Sequence, residues 1–180
     1  MHDSEMVVKF SRVAVLLHWL MALLIVSAFA LGLVMTDMPG ITPAKLQYFS
    51  WHKWLGVTVL FCAALRLLWR LNHPAPPYMS FIPQWQMRIS ALAHLALYVL
   101  MFAVPLSGYF YSLAAGVPVV YLGLFPLPVL MEANPVLKPA LKELHESLNW
   151  VLLGLVAIHV AGVIKHQFID KDNLFRRMLP

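Results

Sequence analysis

The chain has 180 residues, of which 61% are hydrophobic and only 12% are Asp, Glu, Lys or Arg, and its formal net charge is +5. Charged residues make up about 25% of an ordinary soluble domain, so these few charges cannot cover a water-soluble fold of this size. The composition excludes a soluble enzyme, a disordered tail and a nucleic-acid-binding protein. It indicates one integral-membrane domain over residues 1–180.

Four apolar stretches are long enough to cross a bilayer, which takes about 20 helical residues. The first is free of charge from residue 13 to residue 36. The third begins after Arg88, and the glycines and prolines in the second half of its charge-free run limit it to one crossing. We therefore expect an interfacial loop after it. The four expected spans are 11–35, 51–71, 88–113 and 139–168.

The distribution of basic residues predicts the orientation. Four spans place both termini on one side of the membrane. Of the 13 Lys and Arg residues, nine lie in the termini and the loop between spans two and three, and four lie on the opposite side. Because Lys and Arg are enriched on the cytoplasmic side, we expect an all-α four-helix transmembrane bundle with both termini in the cytoplasm.

Four of the eight histidines fall at matched depths in the expected spans. His18 lies about 10 Å and His159 about 13 Å from the cytoplasmic ends of spans one and four, at 1.5 Å per residue. His52 and His145 lie near the outer ends of spans two and four. We call His18 and His159 the inner pair, and His52 and His145 the outer pair.

The spacing on span four places one histidine of each pair on one helix face. Fourteen residues separate His145 from His159, which gives about 21 Å of rise and returns to within about 40° of the same direction. Two imidazoles from facing helices suit the two axial positions of a haem iron. Small residues near the histidines would let a flat macrocycle approach the backbone. These are Gly56, Gly154 and Gly162.

Two alternatives to haem remain at this point. The histidines could be unrelated polar residues near helix ends. They could also bind zinc, but a zinc site would need a third or fourth ligand, and none accompanies either pair. The single cysteine, Cys62, excludes an internal disulfide and the CxxCH attachment of a c-type haem. Any haem would therefore be of the non-covalent b type.

Nearly the whole chain resembles the bacterial cytochrome b561 family, small di-haem membrane cytochromes. The matching segments, in chain order, are FSRVAVLLHWL, WHKWLG, RLLWRLNHPAPP, AHLALYVLMFAVPLSGY, LHESLNWVLLGLVAIH and KHQFIDKDNLFRRMLP. The resemblance implies two haem b groups in a multi-pass protein of the bacterial inner membrane. It implies that the inner pair ligates one haem iron and the outer pair the other, in agreement with the depths.

The resemblance also suggests roles for residues near the cytoplasmic end. Arg66 and Arg70 occupy a typical position of the family's second helix, where they bind haem propionates or the quinone region, or else anchor the helix at the interface by snorkelling. His166 follows His159 by two helical turns, and the family pattern places it near a quinone. His94 is a second candidate for quinone contact. Both could equally be ordinary interfacial histidines.

The function implied by the resemblance is electron transfer across the membrane. Because the chain resembles the stand-alone members, we expect a superoxide:ubiquinone oxidoreductase. The alternative is a haem b subunit between a partner dehydrogenase or hydrogenase and the quinone pool; a histidine-using transporter without haem is an alternative of another class. Outer lysines could steer superoxide or simply solvate the helix ends. They are Lys45, Lys53, Lys138 and Lys142.

Overall fold

The computed structural model describes residues 9–77, 82–172 and 174–179. Its long helices are α1 (Arg12–Asp37), α2 (Pro43–Asn72), α3 (Gln84–Ala114) and α4 (Leu137–Ile164). A π-helical segment, Lys165–Asp170, continues α4, and a 3-10 helix, Leu174–Met178, follows. Two antiparallel strands, β1 (Val120–Tyr121) and β2 (Phe125–Pro126), form a small hairpin between α3 and α4. The fold is therefore all-α apart from this hairpin.

Local capping signals decide where the helices begin. Ser11 precedes α1 and its side chain accepts a hydrogen bond from the backbone N–H of Ala14. Thr42 does the same before α2, where Pro43 occupies the first turn. As a result, α2 begins at residue 43, whereas the expected span begins at 51. The early turns of α2 are too polar to count as membrane span, yet the Thr-Pro cap still starts the helix there.

The four helices pack in chain order. The main contacts join α1 with α2, α2 with α3, and α3 with α4. A buried cluster holds the first three helices together, and it consists of Met21, Val59, Cys62, Ala63 and Met101. Between α1 and α4, Phe29 and Trp150 meet edge to face with ring centroids 5.6 Å apart. Long side chains therefore bridge the distance between α1 and α4.

The outward surfaces of the four helices are apolar. Large side chains such as Leu16, Phe61, Leu95 and Ile158 are each more than 60% exposed. Patches of this extent are rare on soluble monomers, whereas lipid solvates them. All four helices in the described part of the chain are long and apolar enough to cross a membrane. The chain is a multi-pass membrane protein.

Both described termini meet at one end of the bundle, which we call the inner end. The backbone N–H of Phe10 donates to the carbonyl of Arg177 (3.2 Å), and the Trp19 indole donates to the carbonyl of Met178 (2.8 Å). At the opposite, outer end, the hairpin is fastened to α2. The Trp54 indole donates to the carbonyl of Val120 at 2.8 Å. The terminal segments thus pack at the inner end of the bundle, and the hairpin packs at the outer end.

Candidate functional site

The inner pair is brought together between α1 and α4. The imidazole centroids of His18 and His159 lie 6.2 Å apart, and the two ring planes make an angle of 73°. Both side chains are partly buried. The depth argument from sequence predicted that these two residues face each other. Their role as haem ligands remains a prediction.

The outer pair has nearly the same geometry between α2 and α4. The centroids of His52 and His145 are 6.1 Å apart, with an interplanar angle of 86°. Because α4 carries one histidine of each pair, the two sites lie one above the other along this helix. Their axial separation is about 21 Å for fourteen helical residues.

Backbone carbonyls orient both rings of the outer pair. His52 donates its Nδ1–H to the carbonyl of Ala28 at 3.0 Å, and His145 donates its Nδ1–H to the carbonyl of Val104 at 3.1 Å. The Ser107 hydroxyl lies 3.0 Å from the same nitrogen of His145. A bond at Nδ1 leaves Nε2 as the nitrogen that can ligate a metal. Both outer rings are therefore held in the tautomer that a ligand requires.

Two glycines make room for the outer imidazoles. A Cβ atom at Gly108 would lie 2.8 Å from Cε1 of His145, and one at Gly32 would lie 3.3 Å from Cε1 of His52. Contacts below 3.0 Å require something to shift, so the backbone of α3 must lack a side chain at position 108. The two glycines thus leave space for the imidazoles of His52 and His145 against the neighbouring helices.

The separations within the two pairs fit a shared metal ion in each. Metal–imidazole bonds are about 2.0–2.1 Å long, so two imidazoles on opposite sides of one ion have ring centres about 6 Å apart. Both measured separations, 6.2 Å and 6.1 Å, agree with this value. Two neutral nitrogen ligands on opposite sides suit the axial positions of a haem iron. The residues present therefore fit a haem at each level.

A third histidine and an arginine accompany the inner pair. The ring of His94 lies 5.3 Å from that of His159, and His94 Nδ1 donates to the carbonyl of Ser90 at 2.7 Å. Arg66 donates to the carbonyl of Ala14 (3.1 Å) and is near enough to act electrostatically on all three inner imidazoles. A guanidinium beside the inner pair suits an anionic group such as a haem propionate.

Arg70, the second arginine predicted to act at the inner end, lies one turn beyond Arg66. Its guanidinium carbon stands 5.9 Å from the centre of the Phe10 ring, a cation–π contact, and its charge also acts on the His94 ring. Arg70 therefore contacts Phe10 just before α1, whereas the charge of Arg66 acts on both members of the inner pair. Their contacts with propionates or quinone remain predictions.

His166 lies in the π-helical segment at the end of α4, where three potential ligand side chains meet. Its Nδ1–H donates to Asp172 at 2.5 Å, and the Asp170 carboxylate lies 3.3 Å from the same nitrogen. The ligand atoms of these three residues lie within 4.8 Å of one another. Asp170 also pairs with Lys165, whose ammonium offsets the negative charge of that carboxylate. The closest partner of the His166 ring is therefore the Asp172 carboxylate, which orients the ring.

The four outer lysines have unequal surroundings. Lys142 pairs with Glu146 at 3.3 Å, and Lys45 donates to the carbonyl of Met38 at 2.6 Å. Lys138 is exposed at the start of α4. Lys53 is partly buried, and its charge acts on the neighbouring ring of His52. Among these four, Lys53 has the surroundings best suited to attract an anion to the outer pair.

Several residues that contact the histidines were not predicted from the sequence. Gly32, Gly108 and Asp172 are the main ones. Glycines are common inside transmembrane helices, so the sequence carries no signal that Gly32 and Gly108 face an imidazole. Gly154, one of the glycines predicted to let a haem approach the backbone, is exposed. A Cβ atom at position 154 would meet no described atom of another element within 4 Å. This position lies nine residues after His145, about half a turn away from the histidine face.

Known proteins resemble this chain over nearly its full length. Residues 9–180 match the family described as "Prokaryotic cytochrome b561". "Cytochrome b561 homolog 2" of Escherichia coli (strain K12) is 33% identical over 179 residues, which cover 95% of this chain and 91% of the relative. "Cytochrome b561 homolog 1" of the same organism is 28% identical over 174 residues, covering 96% and 97%. "Probable superoxide oxidase CybB" of Yersinia pestis is 28% identical over 179 residues, covering 96% of each.

The family match spans almost the whole chain, and a relative of 33% identity extends over 95% of it. The four long apolar helices agree with the membrane character of the relatives. Haem b and a role in electron transport follow from the family itself. The chain belongs to the prokaryotic cytochrome b561 family.

Proposed function

We propose that this protein carries electrons across the membrane through two b haems, one held by the inner pair and one by the outer pair. The observation that supports this most is the shared geometry of the two pairs, whose centroids are 6.2 Å and 6.1 Å apart. A histidine contact with a purely structural role would not be expected to occur twice with the same separation and with one member of each pair on α4. Zinc fits less well, because in the described part of the chain only His166, Asp170 and Asp172 bring three potential ligand atoms within 4.8 Å of one another, and neither pair forms such a group, even with His94 beside His159.

The chain's own residues prepare the two sites. When bound, each haem supplies a one-electron couple at its iron. The carbonyls of Ala28 and Val104 hold the outer imidazoles with Nε2 toward the metal position. Arg66 places positive charge beside the inner pair and offers a partner for a propionate.

The inner end of the bundle faces the cytoplasm in this proposal. Nine of the 13 Lys and Arg residues lie at that end by the expected topology, and cytoplasmic segments are enriched in these residues. The contact between Phe10 and Arg177 agrees with an even number of crossings, because it joins the two described termini. The outer pair then lies toward the periplasmic side of a bacterial inner membrane.

Superoxide is the proposed electron donor at the outer end, and ubiquinone is the proposed acceptor at the inner end. Superoxide is an anion, and the partly buried Lys53 beside His52 would raise its local concentration. A relative of 28% identity is named a probable superoxide oxidase. At the inner end, His166 and His94 are the proposed quinone contacts, since a reacting quinone must exchange protons. We thus infer a superoxide:ubiquinone oxidoreductase.

The experiment that tests the donor uses purified protein in nanodiscs that contain ubiquinone. Superoxide is added, and haem reduction is followed at the b-type bands while quinol is quantified. We expect rapid haem reduction that superoxide dismutase abolishes, with about one quinol formed per two superoxide ions consumed, as the one-electron couples require.

An absence of superoxide-driven reduction would overturn the proposed donor. Haem reduction by quinol alone would then favour the alternative, in which a partner dehydrogenase or hydrogenase exchanges electrons with the outer haem. A preparation that never binds haem would leave only a membrane role of another class, such as transport, which the family membership argues against.

A further inference from the structure

We propose that Asp172 is a positioning residue for quinone chemistry: it holds the His166 ring so that Nε2 is the atom that exchanges a proton with a quinone oxygen. This inference rests on the proposed quinone role of His166. The contact itself is plain in the structure, since Nδ1–H of His166 donates to a carboxylate oxygen of Asp172 at 2.5 Å. With Nδ1 engaged in this way, Nε2 is the nitrogen left for a substrate.

Asp172 is fixed at three points, which makes it a rigid support. One carboxylate oxygen binds the His166 ring, and the other accepts the backbone N–H of Leu174 at 3.0 Å. The backbone N–H of Asp172 donates to the carbonyl of His166 at 3.2 Å. The Asp172 side chain is only 7% exposed. A carboxylate this deeply buried is costly unless it is fully paired, and here the imidazole completes the pairing.

The backbone of this segment is shaped to bring the two side chains together. His166 lies in the π-helical segment, which departs from the regular α-helix just where the chain leaves the bundle. Lys171 then adopts a left-handed conformation, with φ of 54°, and turns the chain back so that Asp172 meets His166. Departures of this kind from α-helical geometry are frequent at functional sites.

A second carboxylate near His166 provides a natural comparison. Asp170 lies 3.3 Å from the same nitrogen, but it also pairs with Lys165 and is more exposed, at 29% for its side chain. Lys165 offsets the charge of Asp170, so the close, unshared partner of the imidazole is Asp172. Asp172 and Asp170 are thus the carboxylates in contact with His166, and Lys165 pairs with the second of them.

The chemistry of the proposed step balances as follows. Oxidation of one quinol to quinone releases two electrons, taken up one each by two oxidised haems, and two protons. Nε2 of neutral His166 accepts one of these protons from a quinol hydroxyl, and water takes the other. Asp172 keeps the ring in the tautomer that leaves Nε2 free, and its negative charge stabilises the imidazolium that forms. In quinone reduction the same steps run in reverse.

The test measures reduction of the haems by a short-chain ubiquinol in stopped flow, with the protein in nanodiscs. The rate at saturating quinol is separated from the half-saturating concentration. Asp172→Asn keeps an oxygen that can accept the Leu174 N–H, but its amide donates to the ring and reverses the tautomer. We expect a loss of about tenfold or more in the saturating rate, which is part of the roughly 10²–10⁴-fold that a positioned proton-transfer group contributes, with little change in the half-saturating concentration. The comparison variant, Asp170→Asn, should lose much less of the saturating rate, because Asp170 is farther from the ring and its charge is shared with Lys165.

The variants distinguish this inference from the function on which it rests. If His166→Gln leaves the saturating rate unchanged, the proposed quinone role of His166 is wrong. If His166→Gln slows the reaction while Asp172→Asn behaves as wild type, the role of Asp172 is wrong and the quinone role stands. An equal loss in Asp170→Asn and Asp172→Asn would also overturn the inference, because it would reflect local charge and not ring position. Haem content and absorbance spectra are recorded for every variant.

Discussion

Gly108 of α3 leaves the space in which the His145 imidazole lies, since a Cβ atom at position 108 would stand 2.8 Å from Cε1 of that ring. The neighbouring Val104 carbonyl accepts the Nδ1–H of the same imidazole. One segment of α3 thus both makes room for His145 and sets its orientation. A substitution at Gly108 should therefore displace the His145 ring without replacing a proposed haem ligand.

Gly108→Ala should lower occupancy of the outer haem while the inner haem stays bound. Overpacking of this kind costs about 1–3 kcal/mol, which the ring can relieve only by moving away from the metal position. Haem per chain and the b-type spectrum of the purified variant measure the effect. Gly154→Ala is the control, because it adds a methyl group to the exposed face of α4. Equal haem contents in the two variants would contradict this account.

Single substitutions should separate the two haems. Replacement of His52 or His145 by Ala should remove the outer haem. Replacement of His18 or His159 by Ala should remove the inner haem. In each case haem per chain should fall from about two to about one, because a b haem is held by its axial ligands. Pyridine haemochrome quantification and reduced spectra give the result. If His52→Ala and His159→Ala removed the same spectral component, the proposed pairing would be wrong.

Lys53→Gln should slow superoxide-driven haem reduction more than Lys142→Gln does. Lys53 is partly buried beside His52, whereas Lys142 is about half exposed and paired with Glu146, so solvent and salt screen it more strongly. We expect a loss of about tenfold at low salt for Lys53→Gln, and a smaller difference at high salt. Stopped-flow traces with quinol as donor serve as the control and should be unchanged. If wild type and Lys53→Gln show identical superoxide kinetics, Lys53 does not steer superoxide.

Arg177→Ala should lower the thermal stability of the protein, because it removes contacts that hold the inner end together. The Arg177 side chain is 5% exposed, donates to the carbonyl of Pro77 at 2.9 Å and lies 5.6 Å from the centre of the Phe10 ring. Loss of a buried hydrogen bond from a charged group costs about 1.5–3 kcal/mol. Thermal unfolding followed by haem absorbance should show a lower midpoint. Arg176→Ala, at the exposed neighbouring position, should leave the midpoint near that of the wild type.

Features that depend on local periodicity and composition were predictable from the amino-acid sequence. Charge-free stretches indicated the four long apolar helices that the structure contains. The fourteen-residue interval on α4 predicted that His145 and His159 share a face, because side-chain direction along a helix follows from its 3.6-residue turn. Matched depth then indicated which histidine faces which, and the short distances within both pairs agree with that pairing.

Which residues surround those imidazoles depends on the packing of separate helices. Gly32 and Gly108 lie on other helices than the rings they accommodate, and no local pattern connects them with His52 or His145. The approach of His94 to His159 depends in the same way on the packing of α3 against α4. Asp172 is six residues from His166, but a regular helix would carry it away, and the π-helical segment and the left-handed Lys171 bring it back. Contacts between elements depend on how whole helices pack and turn, which sequence periodicity does not encode.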